Sequence, residues 1–130
     1  MRRQRGFSLP EVLAALLILT LVITVSFTAF LERNRRLQQA SELMLAYQAL
    51  ANEAEYQRRV PYDDLETTDE FASPVALLEP LKPYETAIEV EEVEGETGYS
   101  NVTMTIYWNN RKRSEHLTIV RVDTGGPPLW

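Results

Sequence analysis

Gly6-Phe7-Ser8-Leu9-Pro10-Glu11-Val12-Leu13-Ala14-Ala15-Leu16-Leu17-Ile18-Leu19 leads into the apolar run that decides the architecture of this 130-residue chain. From Phe7 to Leu31 the one charged residue is Glu11, and Val12 to Leu31 is an uncharged stretch of 20 residues. About 20 such residues cross a bilayer as a helix. A carboxylate at the edge of a span is costly unless it is paired, so it points to function by default. The next cation in sequence, Arg33, lies 22 residues on, or about 33 Å along a helix. No nearby side chain can neutralise Glu11. Cleavage after Gly6 would create an α-amino group on Phe7, within a helical turn of the carboxylate or available to a neighbouring copy.

Arg2, Arg3 and Arg5 precede this run, and no acid accompanies them. By the positive-inside rule the N-terminus then stays cytoplasmic and the rest is translocated. Arg33, Arg35 and Arg36 just past the run weaken that asymmetry. The formal charge is −6, and losing the three leader arginines takes it to −9. An acidic body with short basic clusters (33–36, 58–59 and 111–113) argues against nucleic-acid binding, which needs a basic surface. The chain has no cysteine, so it has neither a disulfide framework nor thiolate metal sites. Beyond the span, roughly a hundred residues remain, enough for one small domain and too few for a multidomain enzyme.

Three readings of the N-terminus compete. A secretory signal has an apolar region of about 7 to 15 residues closed by a small-residue cleavage site, and this run is longer and has no such site. A plain signal anchor fits the length but leaves Glu11 unexplained. The third reading accounts for both. Basic leader, Gly6-Phe7, glutamate at a fixed offset and an uninterrupted apolar run together resemble the class III signal of type IV prepilins and pseudopilins.

That resemblance implies a scissile Gly6-Phe7 bond, cleavage by a prepilin peptidase that also N-methylates Phe7, and retention of the apolar segment in the mature protein. It also implies that Glu11 pairs with a neighbouring subunit's terminal ammonium during assembly. Pro10 stands where the family more often has an aliphatic residue, and a helix's first turn tolerates it. Many major pilins carry glycine and proline inside the span, whereas this chain has neither between Glu11 and Val60. The implied partners are the prepilin peptidase/N-methyltransferase, other pilin or pseudopilin subunits, and an inner-membrane assembly platform. The implied location is the inner membrane, single-pass, with the head periplasmic, and then a pilus or pseudopilus. The rival from another class is a signal-anchored membrane protein with a small partner-binding or sensing head.

Without a breaker, the helix is expected from about Leu9 to Gln57, roughly 74 Å at about 1.5 Å per residue, so its second half must stand in water. There Leu37, Ala40, Met44, Tyr47, Ala51 and Ala54 recur at 3 and 4 spacing, widened by Leu43, Ala46 and Leu50. Glu32, Arg36, Gln39, Glu42 and Glu53 fall largely outside this stripe, which is expected to be the covered face. Pro61 with Asp63-Asp64 ends the helix. Residues 66–83 read as an irregular connection with a short helical turn near Val75 to Leu78. Strands are expected at Thr86 to Val93, Asn101 to Trp108 and Glu115 to Asp123, where Val102, Met104, Ile106 and Trp108 alternate with Thr103, Thr105 and Tyr107. The linkers Gly95-Glu96-Thr97-Gly98 and 109–113 suit hairpins.

The expected fold is therefore α+β: one long N-terminal helix packed against a three-stranded antiparallel meander. This layout also resembles pilins, and in its order of elements V-type minor pilins and I-type pseudopilins. The corresponding segments are a leader at 1–6, an apolar assembly helix at 7–31, its amphipathic continuation at 32–58, a connection at 59–85, a sheet at 86–124 and a tail at 125–130 ending in Trp130.

Little else carries chemistry. His116 is the lone histidine, with no nucleophile motif beside it, and catalysis needs a positioned partner and a cleft. Asp63, Asp64, Glu66, Asp69 and Glu70 supply oxygens of the kind calcium takes, but their spacing matches no EF-hand loop and reads first as a solvated acidic loop. Glu89, Glu91, Glu92, Glu94 and Glu96 read as a charged strand edge that deters pairing. Arg111-Lys112-Arg113 marks a basic hairpin tip of opposite sign, either solvated or suited to head-to-head contact. No catalytic residue, metal or cofactor is expected.

Overall fold

The structure is a computed structural model and describes residues 6–95 and 98–125. The chain forms two units, Met1–Gln39 and Ala40–Trp130. Arg2, Arg3, Arg5, Glu96, Thr97 and residues 126–130, with Trp130, lie outside the described residues.

Helix α1 covers Leu9–Arg59. No glycine or proline interrupts it after Pro10, and Pro61 disfavours helical geometry in the residue before it, which sets the end. In the first unit its apolar side chains are all exposed. Three hydroxyls in this stretch turn back onto the helix. Thr20 and Thr24 donate to the carbonyls of Leu16 and Thr20 at 2.8 Å each, and Thr28 donates to Val25 O at 2.9 Å. Each polar group of these side chains is thus satisfied internally, as a hydrocarbon surrounding requires.

In the second unit, strands β1 (Tyr84–Glu92), β2 (Tyr99–Trp108) and β3 (Arg113–Val122) form an antiparallel sheet in the order β1-β2-β3. The meander follows the sequence expectation, with each strand starting two residues earlier. In the second hairpin Asn109, Asn110 and Arg111 all have positive φ, near +54°, +54° and +62°. Asparagine accepts this region more readily than most residues. On β2 the inward residues Ser100, Val102, Met104, Ile106 and Trp108 are buried and their neighbours are not. That alternation is the period-2 pattern of a strand with one covered face. These side chains pack with Ala46, Ala49, Leu50 and Ala54 of α1, Ile88 of β1, Ile119 of β3, and Leu78 and Leu81 of the connection.

The face of α1 that enters this core differs from the expected stripe. Ala46, Ala49, Leu50, Glu53, Ala54 and Gln57 are buried, whereas Met44 is 63% exposed and Tyr47 50%. Two polar residues disguise the true core face, because both are satisfied inside it. Glu53 is fully buried, and its carboxylate accepts from Gln57 Nε2 (2.7 Å), Ala72 N (3.3 Å) and Ser73 N (2.8 Å). Tyr47 instead stays half exposed and donates its hydroxyl to Glu115 Oε2 at 3.2 Å.

The connection is more ordered than its sequence indicates. Tyr62–Asp64 and Ala76–Leu81 form 3-10 turns, the second longer than the turn expected near Val75 to Leu78. Thr68 forms a two-bond antiparallel bridge with Ile88 (2.9 and 2.7 Å), and Thr67 Oγ1 accepts from Val90 N at 3.0 Å. Part of the β1 edge is therefore covered by backbone as well as guarded by charge. Arg121 donates to the carbonyls of Gln57 (2.6 Å) and Val60 (2.7 Å), satisfying acceptors that the end of α1 leaves open.

Candidate functional site: the start of the helix

Gly6, Phe7 and Ser8 precede the first helical residue, Leu9, and all three are exposed, Phe7 at 87%. A Cβ placed on Gly6 would meet nothing within 4 Å. The Gly6-Phe7 bond thus lies in non-helical chain, and no described residue crowds Gly6. Val12 N donates to Ser8 O at 3.2 Å, which places Ser8 at the helix N-cap. Pro10 stands in the first turn, where its missing N–H removes one of the donors a helix start leaves unpaired.

Glu11 does not hang free. Its Oε2 accepts a hydrogen bond from Ser8 N at 3.0 Å. A glutamate three residues after a serine N-cap reaches back in this way in a capping box. The Ser8-x-x-Glu11 spacing is the signal in the sequence that points to this partner. No cation accompanies the pair among the described residues. An amide orients the carboxylate and leaves its charge in place.

Elsewhere the basic groups of the head are mostly paired. Arg113 pairs with the half-buried Glu42 at 2.9 Å, and Trp108 Nε1 donates to the same carboxylate at 3.3 Å. Arg111 pairs with Glu85 through Nε at 2.7 Å and lies 5.2 Å from the Tyr107 ring centroid. That hydrogen bond to Glu85 raises the Arg111 pKa above its ordinary value. Of the basic tip, Lys112 alone has no ionic partner among the described residues, so the tip offers less cationic surface than its sequence indicates.

Asp63, Asp64, Glu66, Asp69 and Glu70 are exposed. Among the described residues no group of three or more His, Cys, Asp and Glu is placed to hold a metal ion. His116 is exposed on the outer face of β3, opposite Thr105. Glu89, Glu91, Glu92 and Glu94 are exposed as well.

Residues 1–27 match the family described as the prokaryotic N-terminal methylation motif. No curated protein and no solved structure matches the chain. The motif supports a type IV pilin-like protein and implies processing by a prepilin peptidase and assembly with other pilins. The long helix followed by an antiparallel sheet is the α+β arrangement of such a protein, and the apolar segment fits a membrane-anchored one.

Proposed function

We propose that this type IV pilin-like chain is a minor pilin or pseudopilin, a non-enzymatic filament subunit that assembles through its N-terminal helix. Residues 1–6 are the leader. Prepilin peptidase cuts between Gly6 and Phe7 and methylates the new terminus at Phe7. Residues 7–31 then hold the chain in the inner membrane, with its N-terminus cytoplasmic and its head in the periplasm. Residues 32–58 continue the helix, 59–85 connect it to the sheet at 86–124, and 125–130 form a tail.

The observation that carries this reading is the methylation motif over residues 1–27, joined to a carboxylate whose only partner among the described residues is a neutral amide. Assembly moves the apolar segment from lipid to neighbouring helices and brings Glu11 to a terminal ammonium. Buried ion pairs add little net stability over apolar contacts, but a broken one costs about 3 to 5 kcal/mol. Glu11 therefore governs register and entry more than strength.

The N-terminal mass of protein purified from its native membrane tests the processing. A chain that begins at methylated Phe7 is expected, and a retained Met1 would instead favour a single-pass signal anchor with a partner-binding or sensing head. Glu11→Ala is expected to be cleaved normally and to be depleted from filaments. Normal incorporation of that variant in a filament pull-down would remove Glu11 from the mechanism.

A further inference from the structure

The two edges of the sheet are not alike. The β1 edge carries Glu85, Glu89, Glu91 and Glu92, all exposed, and Thr67 and Thr68 bond to it at Val90 and Ile88. The β3 edge has no such cover. Asp123 N donates to Gly98 O at 2.7 Å, and this pair continues the register of Tyr99 with Val122. Bonded and unbonded pairs alternate along an antiparallel ladder, so Ser114, His116, Thr118, Val120 and Val122 turn their N–H and C=O groups away from β2. Those groups have no hydrogen-bond partner among the described residues. From His116 to Val120 there is no proline, lysine or acid, the usual means of closing an edge.

The helix is open on the same side. Tyr47 of α1 bonds Glu115 of β3, which sets that flank of the helix beside the free edge. At about 100° per residue, Ala40, Ala51 and Met44 lie about 20°, 40° and 60° around the axis from Tyr47, away from the buried Ala46 and Leu50. All four are exposed, and all belong to the second unit. Three strands therefore leave this flank uncovered, and a fourth beside β3 would lie against it. Two half-buried charges mark the same rim. Arg121 donates to carbonyls and Glu115 accepts from a phenol, so neither has an ionic partner among the described residues.

We infer that the free edge of β3 accepts a fourth, antiparallel strand from a different protein. That strand is an extended segment with an acid opposite Arg121, a base opposite Glu115, and apolar side chains opposite Ile119 and Leu117. In such strand addition main-chain bonds supply affinity and alternate side chains supply specificity. Leu117 and Ile119 face the helix, whereas Thr118 and Val120 face outward. Opposite residues stand about 4.5 to 5.5 Å apart at Cβ, close enough for both ion pairs. The charges also fix the register, because a slip of two residues sets the acid against Asp123 or the base against Arg113. A second copy of this chain could offer its own β3, paired about Thr118. The twofold axis of that pairing stands normal to the sheet and turns the copy's α1 to run the opposite way. On the reading of residues 7–31 as a membrane span, two such chains could not share one membrane, so the strand comes from elsewhere.

The test titrates the full-length protein in detergent micelles with two blocked peptides, Glu-Thr-Val-Thr-Val-Thr-Lys and its charge exchange Lys-Thr-Val-Thr-Val-Thr-Glu, and reads backbone amide NMR shifts. The first is expected to shift the amides of Thr118 and Val120. It should bind on the order of tenfold tighter than the second, which sets like charges opposite Arg121 and Glu115. Glu115→Arg should transfer the preference to Glu-Thr-Val-Thr-Val-Thr-Glu. Thr118→Pro removes one outward N–H, which an edge strand tolerates, so near-UV circular dichroism should show the head intact while binding is lost. Equal affinity for the first two peptides, no binding at millimolar peptide, or unchanged binding by Thr118→Pro overturns the proposal. Concentration-dependent dimerisation that Thr118→Pro abolishes overturns it in favour of a second copy. Peptide binding that appears only when residues 126–130 are removed overturns it in favour of the chain's own tail. Cleavage at Gly6-Phe7 can fail without changing these results, because the peptides meet the head alone.

Discussion

Glu53 gives the sharpest test of how the head is held together. It is fully buried, and its carboxylate ties the helix to the connection through the amides of Ala72 and Ser73 while accepting from Gln57 Nε2. In Glu53→Ala the Ser73 amide, itself in a buried residue, loses its acceptor. An orphaned buried donor costs about 1 to 3 kcal/mol. Gln57 loses its partner as well, and the vacated methylenes leave a cavity worth about 1 kcal/mol more. The Ala72 amide lies in an exposed residue and can turn to water, so it adds little. The total is about 3 to 5 kcal/mol, a large fraction of the roughly 5 to 15 kcal/mol that holds a small domain folded. It lowers the melting temperature on the order of 20 °C. Glu53→Gln should cost less, about 1 to 2 kcal/mol, because the side-chain oxygen keeps one acceptor while its NH2 faces a donor. The assay is denaturant unfolding of the full-length chain in micelles, followed by near-UV circular dichroism, with hydrogen exchange read at residues 72 and 73. A cost below about 1 kcal/mol for Glu53→Ala, with unchanged exchange at Ser73, would refute the clasp.

Further outcomes follow from other contacts. Arg121→Ala uncaps the carbonyls of Gln57 and Val60; it should cost about 1 to 3 kcal/mol and speed trypsin cleavage after Arg58 and Arg59, with Arg121→Lys intermediate because an ammonium lacks the fork. Arg113→Ala breaks a partly exposed pair with Glu42, so it should cost only about 1 kcal/mol or less by thermal unfolding. The Tyr47 phenol donates to Glu115, and that hydrogen bond raises its pKa above the ordinary 10.0. A raised folded value favours the neutral phenol, so the stabilisation is complete below the unfolded phenol's pKa and is lost as pH rises through the folded one. Ultraviolet titration should show Tyr47 ionising later in the native head than in Glu115→Gln, and coincident curves would sever the link.

The parts of the fold most legible in the sequence were those with a single period and a single face. The alternation of Val102, Met104, Ile106 and Trp108 carried over because β2 is central and covered on one side. Helix α1 carried over because nothing within it breaks a helix. Its core face did not: Glu53 and Gln57 look like solvent residues until the amides of Ala72 and Ser73 arrive from far along the chain. Met44 and Tyr47 obey the 3 and 4 spacing, yet lie off the covered face. The strap formed by Thr67 and Thr68 was invisible for a related reason, since its contacts with Ile88 and Val90 are made largely by backbone. Arg111 and Arg113 read as one cluster, but each is drawn to a different glutamate.

At the helix start, the Ser8 amide and an ammonium are not interchangeable partners for Glu11. A hydrogen bond to an ionised group is worth about 1.5 to 3 kcal/mol, and a helix N-terminus adds about 0.3 to 1 kcal/mol for an anion. Removing a carboxylate from water costs several kcal/mol, so the Ser8 bond offsets part of that penalty and leaves the charge itself uncompensated. One carboxylate oxygen, Oε2, is committed to Ser8, and Oε1 has no partner among the described residues. On the proposed reading, a neighbour's ammonium can therefore approach Oε1 while the Ser8 bond persists. Entry into a filament then needs no local unwinding at the first turn, consistent with a helix that has no glycine and, after Pro10, no proline as far as Val60. On that reading the serine holds the acid in position and a neighbour supplies the charge.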